Sequence, residues 1–161
     1  MRRSAFLVAL LAGCAPPLSS QSREPCVVSH IVDGDTFDCA GGPRVRPIGI
    51  DTPERSQGEI YALAREALRA HASVGDTVML EYDAARRDRY GRILAWVWRD
   101  SMLVNEAMIA EGWAVLYTVP PNVRYVARLE AAQRSARERR AGLWARDGFA
   151  CLPAGARRGA C

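Results

Sequence analysis

The sequence predicts an α+β fold, a five-stranded OB-like β-barrel with about three α-helices packed outside it. Three observations carry this. Five short apolar runs are bounded by Gly, Pro and Asp; one amphipathic helical pattern is inserted after the third run; further helical patterns follow the fifth. The 161 residues, 49% hydrophobic and 25% charged, are one domain's worth and enough to bury a core.

The first segment reads as an address. Arg2 and Arg3 precede an apolar run from Ala5 to Ala12 that is too short to cross a bilayer of about 30 Å and suits a secretory signal. Leu11-Ala12-Gly13-Cys14 resembles a bacterial lipobox, so residues 1–14 are expected to be an export signal with lipid on Cys14. An ordinary signal peptide is the alternative. Residues 15–25, rich in Pro and Ser, are expected to form a flexible tether. The barrel domain is assigned to residues 26–146 and a Cys/Arg-rich tail to residues 147–161.

Val27 to Val32 and Thr36 to Cys39 form a predicted hairpin around Asp33-Gly34, and Arg44 to Ile50 continues the sheet after Gly41-Gly42-Pro43. Ile60, Leu63, Ala64, Ala67, Leu68 and His71 recur at helical spacing and predict a helix over residues 59–73. Thr77 to Tyr82 and Ile93 to Trp98 are the fourth and fifth strands, joined by the polar loop "DAARRDRYGR". A short helix is expected over residues 102–111, "WAVLY" reads as extended, and Val126, Leu129, Ala132, Ala136 and Leu143 mark a last helix that is basic outside.

Net charge is +4, but it is unevenly placed: residues 23–122 carry 11 Arg against 15 acids, and residues 123–161 carry 9 Arg against 3. All 22 basic residues are Arg, which suits phosphate but also follows from a GC-rich genome, so charge alone identifies no nucleic-acid partner. Five cysteines in an exported chain divide into a lipidated Cys14 and four others, which allow three pairings. Cys26 and Cys39 flank the predicted hairpin, and Cys151 and Cys161 flank the Gly/Arg-rich tail. The expected disulfides are therefore Cys26–Cys39 and Cys151–Cys161. Without a CxxC pair, zinc is the weaker reading.

Three polar clusters interrupt the apolar runs: Asp33-Gly34-Asp35-Thr36, Asp51-Thr52-Pro53-Glu54 and Asp88-Arg89-Tyr90-Gly91-Arg92. Each alone reads as a turn or a solvated loop. Together they leave Arg46 unexplained, because a period-two strand aligns it with Ile48 and Ile50, and a buried arginine needs an anion. If the clusters converge, Asp35 and Asp51 supply hard carboxylate ligands and the Thr52 carbonyl a third, a set suited to Ca²⁺. Arg46 and Arg92 would then reach a phosphate, and Glu54 would activate a water, as in metal-assisted phosphodiester hydrolysis.

"IVDGDTFDC", "RVRPIGIDTPE", "DRYGRILAWVW", "LVNEAMIAEGWA" and "LEAAQRSARERRAGLW" occur in the order and spacing of the staphylococcal-type thermonuclease family, which the chain resembles from about Val28 to Trp144. The resemblance implies an OB-fold barrel with three helices that hydrolyses DNA and RNA with Ca²⁺, prefers single strands and leaves 3′-phosphate ends. Carried over by position, it makes Asp35 and Asp51 the calcium carboxylates, Thr52 the carbonyl ligand and Asp33 an acid near the ion. Arg46, Glu54 and Arg92 match the catalytic trio. Tyr90 matches a tyrosine on the terminal phosphate, Arg89 a neighbouring basic position, and Tyr117 the tyrosine that packs on the base. The expected partners are DNA and RNA, the expected state a monomer, and any membrane contact would pass through the lipid on Cys14. Pro47 departs from the family's usual apolar residue. The competing class is a non-catalytic OB-fold module that binds nucleic acid on an envelope lipoprotein.

Overall fold

A computed structural model describes residues 22–161. The expected signal, the lipobox at Cys14 and most of the tether lie outside the described residues. Eight strands and four α-helices follow in order: β1 (Glu24–Asp33), β2 (Thr36–Cys39), β3 (Arg44–Pro47), β4 (Gly49–Asp51), α1 (Glu59–His71), β5 (Thr77–Glu81), β6 (Ile93–Arg99), β7 (Met102–Leu103), α2 (Val104–Ala110), β8 (Val115–Tyr117), α3 (Val126–Glu138) and α4 (Pro153–Arg157). The first strand starts two residues before the assigned domain boundary, because Glu24 and Pro25 pair with Leu80 and Met79.

The sheet runs β3-β2-β1-β5-β6-β7 and closes through a parallel pairing of β3 with β6. The five strands expected from the sequence are the five that close the barrel. Closure leaves no edge within the ring, so the apolar sides of Val28, Phe37, Val45, Val78 and Val97 all reach one interior and are fully buried there. Trp96 extends the core towards α3, where Tyr125 meets its ring edge-on at 5.2 Å. Helix α1 packs on β1, with Arg65 and Tyr61 donating to the carbonyls of Ile31 and Val32. Cys26 is bonded to Cys39 across the β1–β2 hairpin, and Cys151 to Cys161.

Three elements differ from the sequence reading. The run Arg44–Ile50 is two strands. Pro47 ends β3, and Gly49, at φ 79°, turns β4 out of the barrel to pair with β8. Period two therefore does not extend from Arg46 to Ile50. Met102 and Leu103 pair with β6 as a hairpin strand instead of opening a helix, since Asp100 adopts a left-handed turn at φ 54°. Leu143 lies beyond α3, in a 3-10 turn spanning Gly142–Arg146, where with Val115 and Phe149 it forms a small second core.

Candidate active site

The β1–β2 turn brings the first acidic cluster to the mouth of the barrel. Gly34 belongs there for close approach: a Cβ on it would lie 2.9 Å from the Thr52 side chain. Thr52 closes that contact by donating to Asp35 Oδ2 from its backbone N at 2.9 Å and from Oγ1 at 3.0 Å. The second cluster is thereby tied to the first. Asp33 accepts from the backbone N of Asp35 at 3.0 Å. Burial, and after it the Asp35 charge, pushes the Asp33 carboxyl up to about 6.

Arg46 sits between these carboxylates. Its Nε lies 3.3 Å from Asp35 Oδ1 and its Nη2 3.5 Å from Asp51 Oδ1. The same guanidinium donates to the carbonyls of Pro47 at 2.7 Å and Ile50 at 2.8 Å. The anion that a buried arginine requires is thus supplied by the protein, and the break at Pro47–Gly49 turns two backbone carbonyls towards it. Pro47 loses nothing by lacking an N–H, because the ladder to β6 continues through the Ile48 N–H on Ala95.

The third cluster is organised by Asp88. Its carboxylate accepts from the backbone N of Tyr90 at 2.9 Å and of Arg92 at 3.0 Å, and from Arg92 Nε at 2.7 Å. Burial works against the charge, but these hydrogen bonds outweigh it and hold Asp88 below the ordinary carboxylate value. Tyr90 is 68% exposed, with the Arg89 and Arg92 guanidinium groups 4.7 and 5.6 Å from its ring.

Asp33, Asp35, Arg46, Glu54, Arg89, Tyr90, Arg92 and Tyr117 all line one surface cleft of about 1160 Å³. Asp51 and Thr52 lie behind its wall, 1% and 3% exposed. They connect to the cleft through Arg46, Asp35 and Arg157. Burial pushes Asp51 above the ordinary carboxylate value, and hydrogen bonds from Arg157 oppose that rise. Ten expected site positions, from three separated clusters together with Arg46 and Tyr117, therefore meet at one end of the barrel.

Residues 44–146 match the model of the staphylococcal nuclease homologue family. The chain is 35% identical to a thermonuclease of Staphylococcus hyicus over 135 residues, 79% of each chain. It is also 35% identical to a thermonuclease of Staphylococcus intermedius over 130 residues, 76% of this chain and 77% of that one. The chain belongs to the staphylococcal nuclease homologue family. A prophage-derived endonuclease of Bacillus subtilis is 31% identical over 131 residues, 76% of this chain but 44% of that protein.

Four polar residues outside the expected site set position this family member's cleft. Asn105, fully buried in α2, accepts from Val97 N and donates to the Ile48 carbonyl, both at 2.8 Å, and so fixes the bend between β3 and β4. Asn122 clamps the loop before Arg87 through both backbone groups of Ala85. Gln57 accepts from the Glu54 backbone N at 2.8 Å and donates to the Cys151 carbonyl at 3.0 Å. Arg157 enters the cleft from the tail, where the sequence shows only a Gly/Arg-rich composition. The sequence signal that could have found Asn105 is a polar amide within the largely apolar run "LVNEAMIAEGWA"; Asn122 carries none of comparable strength.

Proposed function

We propose that this chain is a calcium-dependent nuclease that hydrolyses phosphodiester bonds of DNA and RNA, prefers single-stranded substrate and leaves 3′-phosphate ends. The observation that carries the reading is the convergence of Arg46, Glu54, Arg92, Asp33 and Asp35 on one cleft, with Asp51 directly behind it. The names of the similar thermonucleases and endonuclease support the nuclease part of this reading.

The donors suit a hard cation. Among the described residues no group of three or more His, Cys, Asp or Glu side chains is arranged around a common metal position. Asp35 and Asp51, linked through the Arg46 guanidinium, are the two carboxylates that would hold Ca²⁺, with the Thr52 carbonyl and waters completing the oxygen set and Asp33 adding negative charge nearby. The cation would supply polarisation of a non-bridging phosphate oxygen. Glu54 takes a proton from the attacking water, a role worth about 10²- to 10⁴-fold in rate. Water attacks phosphorus in line, the bond from phosphorus to the 5′-oxygen breaks, the 5′-oxygen takes a proton from solvent and leaves as a hydroxyl, and the phosphate stays on the 3′ side. Arg46 and Arg92 donate charge-assisted hydrogen bonds to the equatorial oxygens, which strengthen as negative charge builds there. Asp88 keeps Arg92 aimed at the cleft. Tyr90 and Arg89 meet the terminal phosphate, and exposed Tyr117 stacks on a base, a contact open to unpaired bases of any identity.

The decisive assay incubates the purified protein with denatured DNA, with Ca²⁺ or with chelator, beside Glu54→Gln. Cleavage should need Ca²⁺ and fall about 10²-fold or more in the variant. Binding of DNA without any cutting would support the non-catalytic module instead. Two disulfides suit export to an oxidising compartment, and no described helix is long and apolar enough to cross a membrane. Lipid anchoring at Cys14 remains part of the proposal: labelled fatty acid should enter the wild type and not Cys14→Ser.

A further inference from the structure

The family match ends at residue 146, and the chain beyond it returns to the cleft. The Cys151–Cys161 disulfide closes a loop that contains α4. Two anchors seat this loop: the Cys151 carbonyl accepts from Gln57, and Pro153 is buried. Arg157 is thereby held over the second acidic cluster. Its Nη1 donates to Asp51 Oδ1 at 2.9 Å, its Nη2 to Asp51 Oδ2 at 2.8 Å, and Nη1 also to Glu54 Oε1 at 2.5 Å. Its guanidinium carbon lies 5.8 Å from the Tyr117 ring.

This is a fork engaging both oxygens of Asp51 and one of Glu54, the strongest geometry an arginine offers a carboxylate. Asp51 is 1% exposed, yet the Arg157 side chain is 39% exposed, so the arginine can leave towards solvent where the carboxylate cannot. A divalent cation on Asp51 would meet two positive charges, Arg46 at 3.5 Å from the same carboxylate and Arg157 at 2.8 Å, and of these only the exposed Arg157 can withdraw to relieve the repulsion. The water beside Glu54 would lose its acceptor for as long as the contact with Arg157 lasts.

We propose that residues 151–161 are a tethered competitor: the Arg157 guanidinium occupies Asp51 and Glu54, and a divalent cation binds there only after Arg157 swings out. The inference rests on the reading of Asp51 as a cation ligand. Closing the loop raises the local concentration of the guanidinium without any new contact. If the open form is about one molecule in ten, the apparent cation affinity is lowered about tenfold.

The test titrates the full-length protein with CaCl₂ in a calorimeter, without nucleic acid, at fixed ionic strength. Arg157→Gln should bind Ca²⁺ about tenfold more tightly than wild type. Cys151→Ser with Cys161→Ser, which leaves Arg157 in place but opens its loop, should shift affinity in the same direction. Arg158→Gln, an exposed neighbour of like charge, should match wild type. Equal or weaker Ca²⁺ binding by Arg157→Gln, with wild type still binding Ca²⁺ and cutting DNA, overturns the competitor and leaves the nuclease standing. An unchanged double cysteine variant overturns the tether. Failure of every protein to bind Ca²⁺ overturns the calcium reading itself, and the competitor with it.

Discussion

Arg46 is held by two carboxylates and two carbonyls before any substrate arrives, so its charge is oriented in advance. Lysine keeps the charge but loses the planar fork. Arg46→Lys should therefore lower kcat about 10²- to 10³-fold in the denatured-DNA assay while the protein stays folded. Glu81 is a structural counterpart outside the cleft. It is 4% exposed and accepts from Arg124 at 2.7 Å, Tyr125 at 2.8 Å and Arg23 at 3.3 Å. Burial opposes its charge, but the bonds from Arg124 and Tyr125 prevail and hold its pKa below the ordinary 4.5. Its stabilising contribution is thus fully present above the unfolded value and lost as pH falls through the lower folded one. Glu81→Gln should cost about 1–3 kcal/mol at pH 7, and in urea unfolding the gap from wild type should shrink as pH falls below the ordinary carboxylate range.

At the scale of elements, the break between β3 and β4 is what makes the cleft. Gly49 is required at that break for two reasons. Its φ of 79° disfavours a side chain, and a Cβ there would lie 2.6 Å from Leu129 Cδ1 and 3.1 Å from Trp96. Gly49→Ala should destabilise the fold by about 1–3 kcal/mol and reduce cleavage, because α3 and the bend would have to separate. Asn105 holds the same bend from α2. Asn105→Ala leaves the Val97 N–H and the Ile48 carbonyl without partners, a loss of about 2–4 kcal/mol, which thermal unfolding would register. The sequence reading carried one strand through "RVRPIGI", although Pro47 and Gly49 both mark an interruption there; the pairing of β4 with β8 leaves no local signature.

For the whole molecule, the two disulfides do different work. Cys26–Cys39 spans 13 residues and joins two strands of the barrel, both cysteines being in the core. Replacing both with serine should cost about 3 kcal/mol, read as a lowered denaturant midpoint. Cys151–Cys161 spans 10 residues outside the barrel. Its loss should leave the main unfolding transition nearly unchanged and act on the cleft instead.

By itself, the sequence determined the five barrel strands, the α1 pattern and the three polar clusters, and it narrowed the cysteines to a pairing that the structure bears out. Each of these is written in neighbouring residues, as a period, a turn or a spacing. Only the tertiary structure decided that Asp35 is tied to Thr52, that Asp51 lies behind the cleft wall and that Arg157, 106 residues further along the chain, covers it. The reason is physical: barrel closure and a folded-back tail join residues that share no local pattern, and hydrogen bonds between distant segments leave no trace in the order of residues along the chain.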